Sequence, residues 1–530
     1  MSDALLLITF LSVVAILTVL AKRARIPYPI AFVFGGVALA FSRHLPHPHF
    51  DPEIVLLLVL PPLLYSAAWS TDWVQLKRSW RMVSLLAVGL VIFTTVVVAA
   101  FLHAAMPGFS WALAFTLGAI VSPPDAVAAE AVFERLAIPR RIAAIITGEC
   151  LLNDATALVT YRFALAALVS GAFSLARAGI DFIVVSVGGV LVGVAIALAI
   201  EGILRYVSRH DLDDATLASV VLLIAPFAAY VPAEAVHVSG VLGAVSAGLV
   251  LSRRSALFID SETRVIGSSV WRLLTFVLNG LAFLLIGLQL PVIVAELVPR
   301  VGIDALFGLA LSVLVIAVRF AWVFPATYLP RMFDRRLRES EPAPTWQGVT
   351  VVSWAGMRGI VSLAAALALP YTLGDEPFPQ RSIAIFLTFS VIFVTLVGQG
   401  LTLGPLVEWL GVAETSKNQQ AETRVRIRAL EAAIARLREL QEDEATGTAK
   451  AEAASRVMEE YEHRIGVLHG RANPEVSDED REILADRTVA REALAAERRA
   501  IVHMRSSGEL PDAVFRSIEY DLDLAALQLS

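Results

Sequence analysis

Cysteine and charge are both scarce in this chain. The one cysteine, Cys150, excludes an intramolecular disulfide. Only 17% of the 530 residues are charged, where a soluble domain carries about 25%. With 57% hydrophobic residues, that shortage excludes an ordinary soluble globule. The N-terminus also lacks a basic region ahead of its first apolar run. Met1-Ser2-Asp3 precedes the run 4–21, and Lys22, Arg23 and Arg25 follow it. The segment therefore reads as a span and not as a cleavable signal.

The charge that is present is unevenly placed. Residues 1–410 hold 26 Lys/Arg and 25 Asp/Glu, a balance of +1; residues 411–530 hold 17 and 24, a balance of −7. This predicts a membrane domain, 1–411, followed by a charged soluble tail, 412–530. In the tail, Ile427, Leu430, Ile434 and Leu437 recur at helical spacing. Gly470–Ser477, with Pro474, reads as a break, and Ser477 as the N-cap of a further helix.

Thirteen apolar segments are legible: 4–21, 28–41, 54–69, 82–104, 111–132, 142–170, 179–204, 215–231, 236–251, 271–290, 303–329, 348–370 and 382–410. The loops after odd-numbered segments hold 18 Lys/Arg and those after even-numbered segments hold 4. The positive-inside rule then places the N-terminus outside and the tail in the cytoplasm.

Two segments carry helix breakers at mid-depth. The fifth contains Ser122-Pro123-Pro124-Asp125, where adjacent prolines remove two backbone donors. The twelfth contains Gly356-Met357-Arg358-Gly359. Broken backbone within a membrane is tolerated only where it lines a cavity or is buried in protein. A pair of such breaks in corresponding halves points to the substrate site of an inverted-repeat transporter. If segments 1–6 and 8–13 are the two repeats, the fifth and the twelfth are equivalent.

The sixth segment carries Gly148-Glu149-Cys150-Leu151-Leu152-Asn153-Asp154-Ala155-Thr156-Ala157. Counted from Ile142 at ~1.5 Å per residue, Asp154 sits roughly 18 Å into a hydrocarbon core ~30 Å thick. A charge there costs at least ~2.5 kcal/mol, which marks it as functional. Glu149 and Asn153 share one helix face, and Cys150 and Asp154 the adjacent one. Carboxylate, amide and released backbone oxygens suit a small cation that has shed its water. The same carboxylate can carry a proton, because burial favours the neutral form of an acid. Competition of H⁺ and a cation for Asp154 would couple their movements. Arg319 and Arg358 are the mid-depth cations available to a buried acid. One of them is expected to pair with Glu149, and Arg358 could also bond carbonyls at the twelfth-segment break.

Several stretches resemble the bacterial sodium/proton exchangers of the monovalent cation:proton antiporter-1 family. They are Ser122–Ala126, Gly148–Ala157, Leu278–Pro291 and Trp354–Leu363, and the resemblance covers most of residues 1–410. It implies an all-α polytopic membrane protein of about 13 transmembrane helices. The implied fold is the inverted-repeat antiporter fold, with core and dimerisation domains, interrupted helices and a soluble helical tail. It implies alternating access in a homodimer of the inner membrane, exchanging Na⁺, or K⁺ or Li⁺, for H⁺. Asp154 would carry the ion, Asn153 and Glu149 would support it, and Asp125 would lie at the fifth-segment break. Asn before the key Asp goes with electroneutral exchange in this family. Two positions depart from the pattern: Pro124 stands where Thr is usual and Cys150 where Ser is usual, so two hydroxyl ligands are missing. No cofactor and no nucleic-acid partner are expected.

Other readings of the same residues stay open. Glu149 could ligate the ion or only pair with arginine; Asp125 could ligate or only cap the second half-helix. Glu130 and Arg162 read as snorkelling side chains or local pairs. His44, His47 and His49 read as a solvated outer loop rather than a metal site. Gly189-x-x-x-Gly193 matches a helix-packing motif that apolar spans often produce by chance. An intramembrane aspartyl protease is disfavoured, since Thr372-Leu373-Gly374-Asp375 lacks the first glycine of Gly-x-Gly-Asp. A cation channel would want rings of carbonyls or charges along a pore.

Overall fold

The computed structural model describes residues 3–41, 55–106, 108–133, 138–170, 175–210, 214–255, 258–259, 261–295, 301–334, 344–373, 376–378, 380–412, 417–442, 448–472, 496–497 and 499–500. The chain divides into two compact units, Met1–Ala413 and Glu414–Ser530. The histidine cluster at His44, His47 and His49 and the N-cap expected at Ser477 lie outside the described residues.

In the first unit each apolar segment falls on a helix or on a pair of short helices. These are α1 (Asp3–Ala24), α2 (Tyr28–Ala40), α3 (Leu60–Ser70), α4 (Trp73–Ala105), the pair α5 (Trp111–Val121) and α6 (Ala126–Phe133), and α7 (Arg140–Ser170). There follow α8 (Leu175–Arg209), α9 (Ala215–Ala235), α10 (Gly240–Arg254), α11 (Ser261–Ala295), α12 (Val301–Phe333), the pair α13 (Trp346–Trp354) and α14 (Ile360–Leu367), and α15 (Arg381–Leu410). Eight of them, α1, α4, α7, α8, α9, α11, α12 and α15, are long and apolar enough to cross a membrane. Among the described residues, extended pairing is confined to Thr372–Leu373 against Glu376–Pro377.

Local chemistry starts these helices. Asp72 caps α4 by accepting from the N–H groups of Val74 and Gln75, at 2.9 and 3.1 Å. Ser110, Ser239 and Thr345 cap α5, α10 and α13 in the same way. Asp214 caps α9, and bonds from the N–H groups of Leu217 and Thr216 hold its carboxyl below the usual carboxylate range. Among the described residues three stretches are π-helical, Val55–Val59 leading into α3, Leu85–Leu90 in α4 and Val394–Gln399 in α15, and hydrophobic patterning predicts none of them.

Burial separates the site-bearing helices from the perimeter. The most apolar window of α7 is 72% buried and that of α15 is 67%, against 17% for α1 and 22% for α8. One apolar core joins α1, α2, α4–α7 and α11–α15. A smaller one joins α3, α8, α9 and α10 around Tyr65, Ala197, Leu222, Ala229 and Ala247. Gly189 and Gly193 do form a packing face: a methyl group on either would collide with the carbonyls of Ser239 and Gly243 on the α10 side.

The second unit pairs α16 (Lys417–Glu442) with α17 (Thr448–Ala472). Ile427 and Ile434 of the expected stripe are buried, as is Ala454 of α17. Gln441 Nε2 donates to Ser455 Oγ at 2.6 Å between the two helices.

Candidate ion-binding site

The fifth and twelfth segments break where the sequence places their breakers, and the two breaks meet. Helix α5 stops at Val121 and α6 begins at Ala126; α13 stops at Trp354 and α14 begins at Ile360. The backbone N–H of Asp125 donates to the Met357 carbonyl at 2.7 Å, joining one break to the other. Four helix ends therefore converge inside protein, each with backbone groups its own helix cannot pair.

Two charged side chains satisfy them according to sign. Arg358 lies among the C-terminal ends, where carbonyls are exposed. Its Nε donates to Val121 O at 3.1 Å, its Nη2 to Ser122 O at 3.4 Å, and its Nη1 to Gly356 O. Its own N–H donates to Thr395 Oγ1 of α15 at 3.1 Å. Asp125 lies at the N-terminal ends, where N–H groups are exposed. Its Oδ1 accepts from Val127 N at 2.9 Å, and its Oδ2 packs onto Gly359, the residue before α14. A cation at helix C-termini and an anion at helix N-termini both oppose the local dipole favourably.

Glycine is required at two of these contacts. A Cβ on Gly359 would fall on the Asp125 carboxylate. A Cβ on Gly356 would lie 2.5 Å from Arg319 Cδ and 3.0 Å from Arg358 Nη1. Gly359→Ala should therefore dislodge Asp125. Exchange of the variant in proteoliposomes should fall at least about tenfold, with melting temperature reporting separately on the fold; unchanged turnover would show that the position of Asp125 is immaterial.

Helix α7 supplies the other acids. Arg319 of α12 forms a bidentate pair with Glu149: Nη1 to Oε1 at 2.5 Å and Nη2 to Oε2 at 2.7 Å. Its Nε and Nη2 also donate to Val352 O of α13, at 3.2 and 3.0 Å. Both side chains are fully buried. The structure thus gives Arg319 to Glu149 and Arg358 to the carbonyls of the breaks. Asn153 donates through Nδ2 to Pro124 O at 3.1 Å, while its Oδ1 is buried without a protein partner among the described residues. Asp154 is buried, within electrostatic reach of Asp125, and no described residue donates to it or pairs with it. Cys150 is buried among Glu149, Asp154, Arg319 and Asp125. Ser122 Oγ donates to Ala119 O at 3.0 Å, so its hydroxyl caps α5.

Some participants were not legible. Thr395 belongs to a buried polar stripe on α15, Thr388, Thr395 and Gln399, whose spacing of seven and four was a usable signal. Glu234, in the last turn of α9, pairs with Arg162 at 2.7 Å and accepts from Gly240 N at 3.0 Å. Of the two readings of Arg162, a snorkelling chain or a pair, the structure shows a half-exposed pair that links two helices. A cavity of about 480 Å³ lies between α2, α3, α6 and α11, with Tyr28, Ser66, Val127, Glu130, Arg272 and Asn279 in its wall. Helices α2, α3 and α6 line it at the ends that meet basic loops, and α11 lines it from Arg272 to Phe283, in the middle of that helix. Arg162 and Glu234 lie toward the opposite ends of their helices.

Two crossed, broken helices holding buried acids within an all-α bundle of membrane-length helices define a secondary transporter. The chain matches the family described as "Sodium/hydrogen exchanger, transmembrane" over residues 8–409. It is 32% identical over 517 residues to the uncharacterized Na(+)/H(+) exchanger YjcE of Escherichia coli (strain K12), covering 94% of this chain and 93% of that protein. It is 30% identical over 520 residues to the sodium, potassium, lithium and rubidium/H(+) antiporter of Bacillus subtilis (strain 168), covering 96% of this chain and 75% of that protein. Its fold is similar to that of the sodium proton antiporter MjNhaP1 from Methanocaldococcus jannaschii at pH 8. That likeness has a TM-score of 0.59 at 18% identity, over 77% of this chain and 98% of that chain. The chain belongs to the sodium/hydrogen exchanger family; it is a multi-pass membrane transporter and not an enzyme.

Proposed function

We propose that the protein exchanges Na⁺ for H⁺ across the bacterial inner membrane, one for one, by alternating access, with both ions competing for Asp154. The observation that carries this reading is the charge of the buried cluster. Three carboxylates, the buried Glu149 and Asp154 and the half-buried Asp125 with its Oδ2 enclosed, stand against two buried guanidiniums, Arg319 and Arg358, a balance of 2 − 3 = −1. A cluster of charge −1 out of contact with water needs one compensating positive charge. A single H⁺ or a single alkali cation supplies it, and both together would overshoot. Swapping one for the other leaves the transported charge unchanged, which is electroneutral exchange. One pH unit is worth about 1.36 kcal/mol, enough to support roughly a tenfold opposing cation gradient.

Lack of hydroxyl ligands at Pro124 and Cys150 favours a broad cation range. Coordination would fall to the Asp154 and Asp125 carboxylates and the Asn153 oxygen, which are hard ligands without strict geometry. K⁺ and Li⁺ are accordingly proposed as further substrates, as in the sodium, potassium, lithium and rubidium/H(+) antiporter of Bacillus subtilis. The decisive measurement is cation-driven proton flux in proteoliposomes at several clamped membrane potentials. The flux should be independent of potential; a flux that grows with it would overturn one-for-one exchange.

The loop charges support an N-terminus outside, a cytoplasmic tail at 412–530 and an exchange unit at 1–411. The 480 Å³ cavity then faces the cytoplasm, and the Arg162–Glu234 pair lies toward the outside. That pair joins α7 of the larger core to the last turn of α9 of the smaller one. It suits an outer closure that opens in each cycle, because half-exposed ion pairs contribute only about 0–1 kcal/mol. Cysteines at positions 162 and 234 should cross-link under oxidation and stop exchange, with reduction restoring it; full activity of the cross-linked protein would exclude relative movement there. The exposed apolar faces of α1 and α8 are available to lipid and to a second copy in a homodimer.

A further inference from the structure

We propose that Glu130 and Thr147 form a capture site for the cation on the cytoplasmic side, one step before Asp154. The proposal rests on the exchange reading above and adds a separate binding site to it. Glu130 lies on α6 in the wall of the cavity. Its Oε1 accepts from Thr147 Oγ1 of α7 at 3.4 Å. Two helices independently give the depth of this pair. Glu130 is five residues beyond Asp125 on its helix, about 7.5 Å along the axis. Thr147 is seven residues before Asp154, about 10.5 Å and two turns away on the same face. The pair therefore stands at the cavity wall, two turns or less along either helix from the buried carboxylates, and it joins α6, which follows Asp125, to α7, which carries Asp154.

The chemistry fits a partly hydrated alkali cation. An ion passing from water to a buried carboxylate loses its hydration shell in stages, and each stage needs oxygen ligands. A carboxylate and a hydroxyl at the cavity wall, with Ser66 and Asn279 also lining it, replace part of the shell while the rest of the ion stays wet. Arg272 lies in the same wall, so a positive charge faces the same cavity and weakens its hold on a cation. A site on a pathway needs that weakness, since it must release the ion inward as well as accept it.

Side-resolved kinetics in oriented proteoliposomes tests this. Glu130→Gln keeps the size of the side chain and its capacity to accept from Thr147 but removes the charge. The cytoplasmic KM for Na⁺ should rise about five- to tenfold, with kcat within twofold of wild type and the KM at the opposite face unchanged. Thr147→Val should give a smaller rise at the same face. An unchanged cytoplasmic KM, an equal rise at both faces, or a fall in kcat at constant KM would overturn the proposal. A Glu130→Gln protein that does not reconstitute would also overturn it, by assigning Glu130 a structural role. Failure of the exchange reading is a different result: wild-type protein would show no cation-dependent proton flux.

Discussion

Replacing Asp154 with Asn is expected to abolish exchange while leaving the protein folded. The substitution preserves shape and removes one negative charge. In the proposed cluster it brings the balance from −1 to 0, so neither a proton nor a cation is needed any longer. Because no described residue donates to Asp154 or pairs with it, the loss leaves no partner stranded, and melting temperature should change little. Turnover in proteoliposomes should drop more than about a hundredfold, equivalent to at least ~2.7 kcal/mol in the transport barrier. Adding Na⁺ to lightly buffered purified wild-type protein should release protons, and the variant should release none. Wild-type exchange rates in Asp154→Asn would remove this residue from the mechanism.

Arg319→Met should have the largest effect on stability. The guanidinium is fully buried, holds both oxygens of Glu149 and bonds the Val352 carbonyl at the start of the twelfth-segment break. Removing it leaves a carboxylate in a water-excluded site, which costs about 3–5 kcal/mol. The variant should melt well below wild type in detergent. The double variant Glu149→Met with Arg319→Met removes both charges together and should recover much of that loss. If the double variant were as unstable as the sum of its single changes, the pair would not be an energetic unit.

The Glu149 result shows how far local sequence carried the site. A buried acid in the sixth segment demands a cation, and only Arg319 and Arg358 stood at suitable depth. Choosing between them required contacts 170 residues apart in the chain, for which helical periodicity holds no information. Pro123, Pro124 and the glycines of Gly356-Met357-Arg358-Gly359 announced the two breaks because backbone restriction is a local property. That the breaks cross, with Asp125 N bonded to Met357 O, is a matter of packing. Glu130 and Arg162, legible as snorkelling chains or local pairs, do pair, and their partners Thr147 and Glu234 come from other helices, which local sequence cannot name. The π-helical stretches at 55–59, 85–90 and 394–399 were invisible, since one inserted residue hardly disturbs an apolar pattern.

Sequence alone determined the membrane-length segments, the two interruptions and the identity of the mid-depth acids. Each follows from hydrophobic length, backbone restriction or the cost of a charge in lipid, and those act within one stretch of chain. Tertiary structure decided which helix ends Arg358 and Asp125 satisfy, which arginine neutralises Glu149, and that Asp125 and Asp154 have no pairing cation among the described residues. Those outcomes depend on the approach of helices remote in the chain, and a charge is neutralised only by what packs against it.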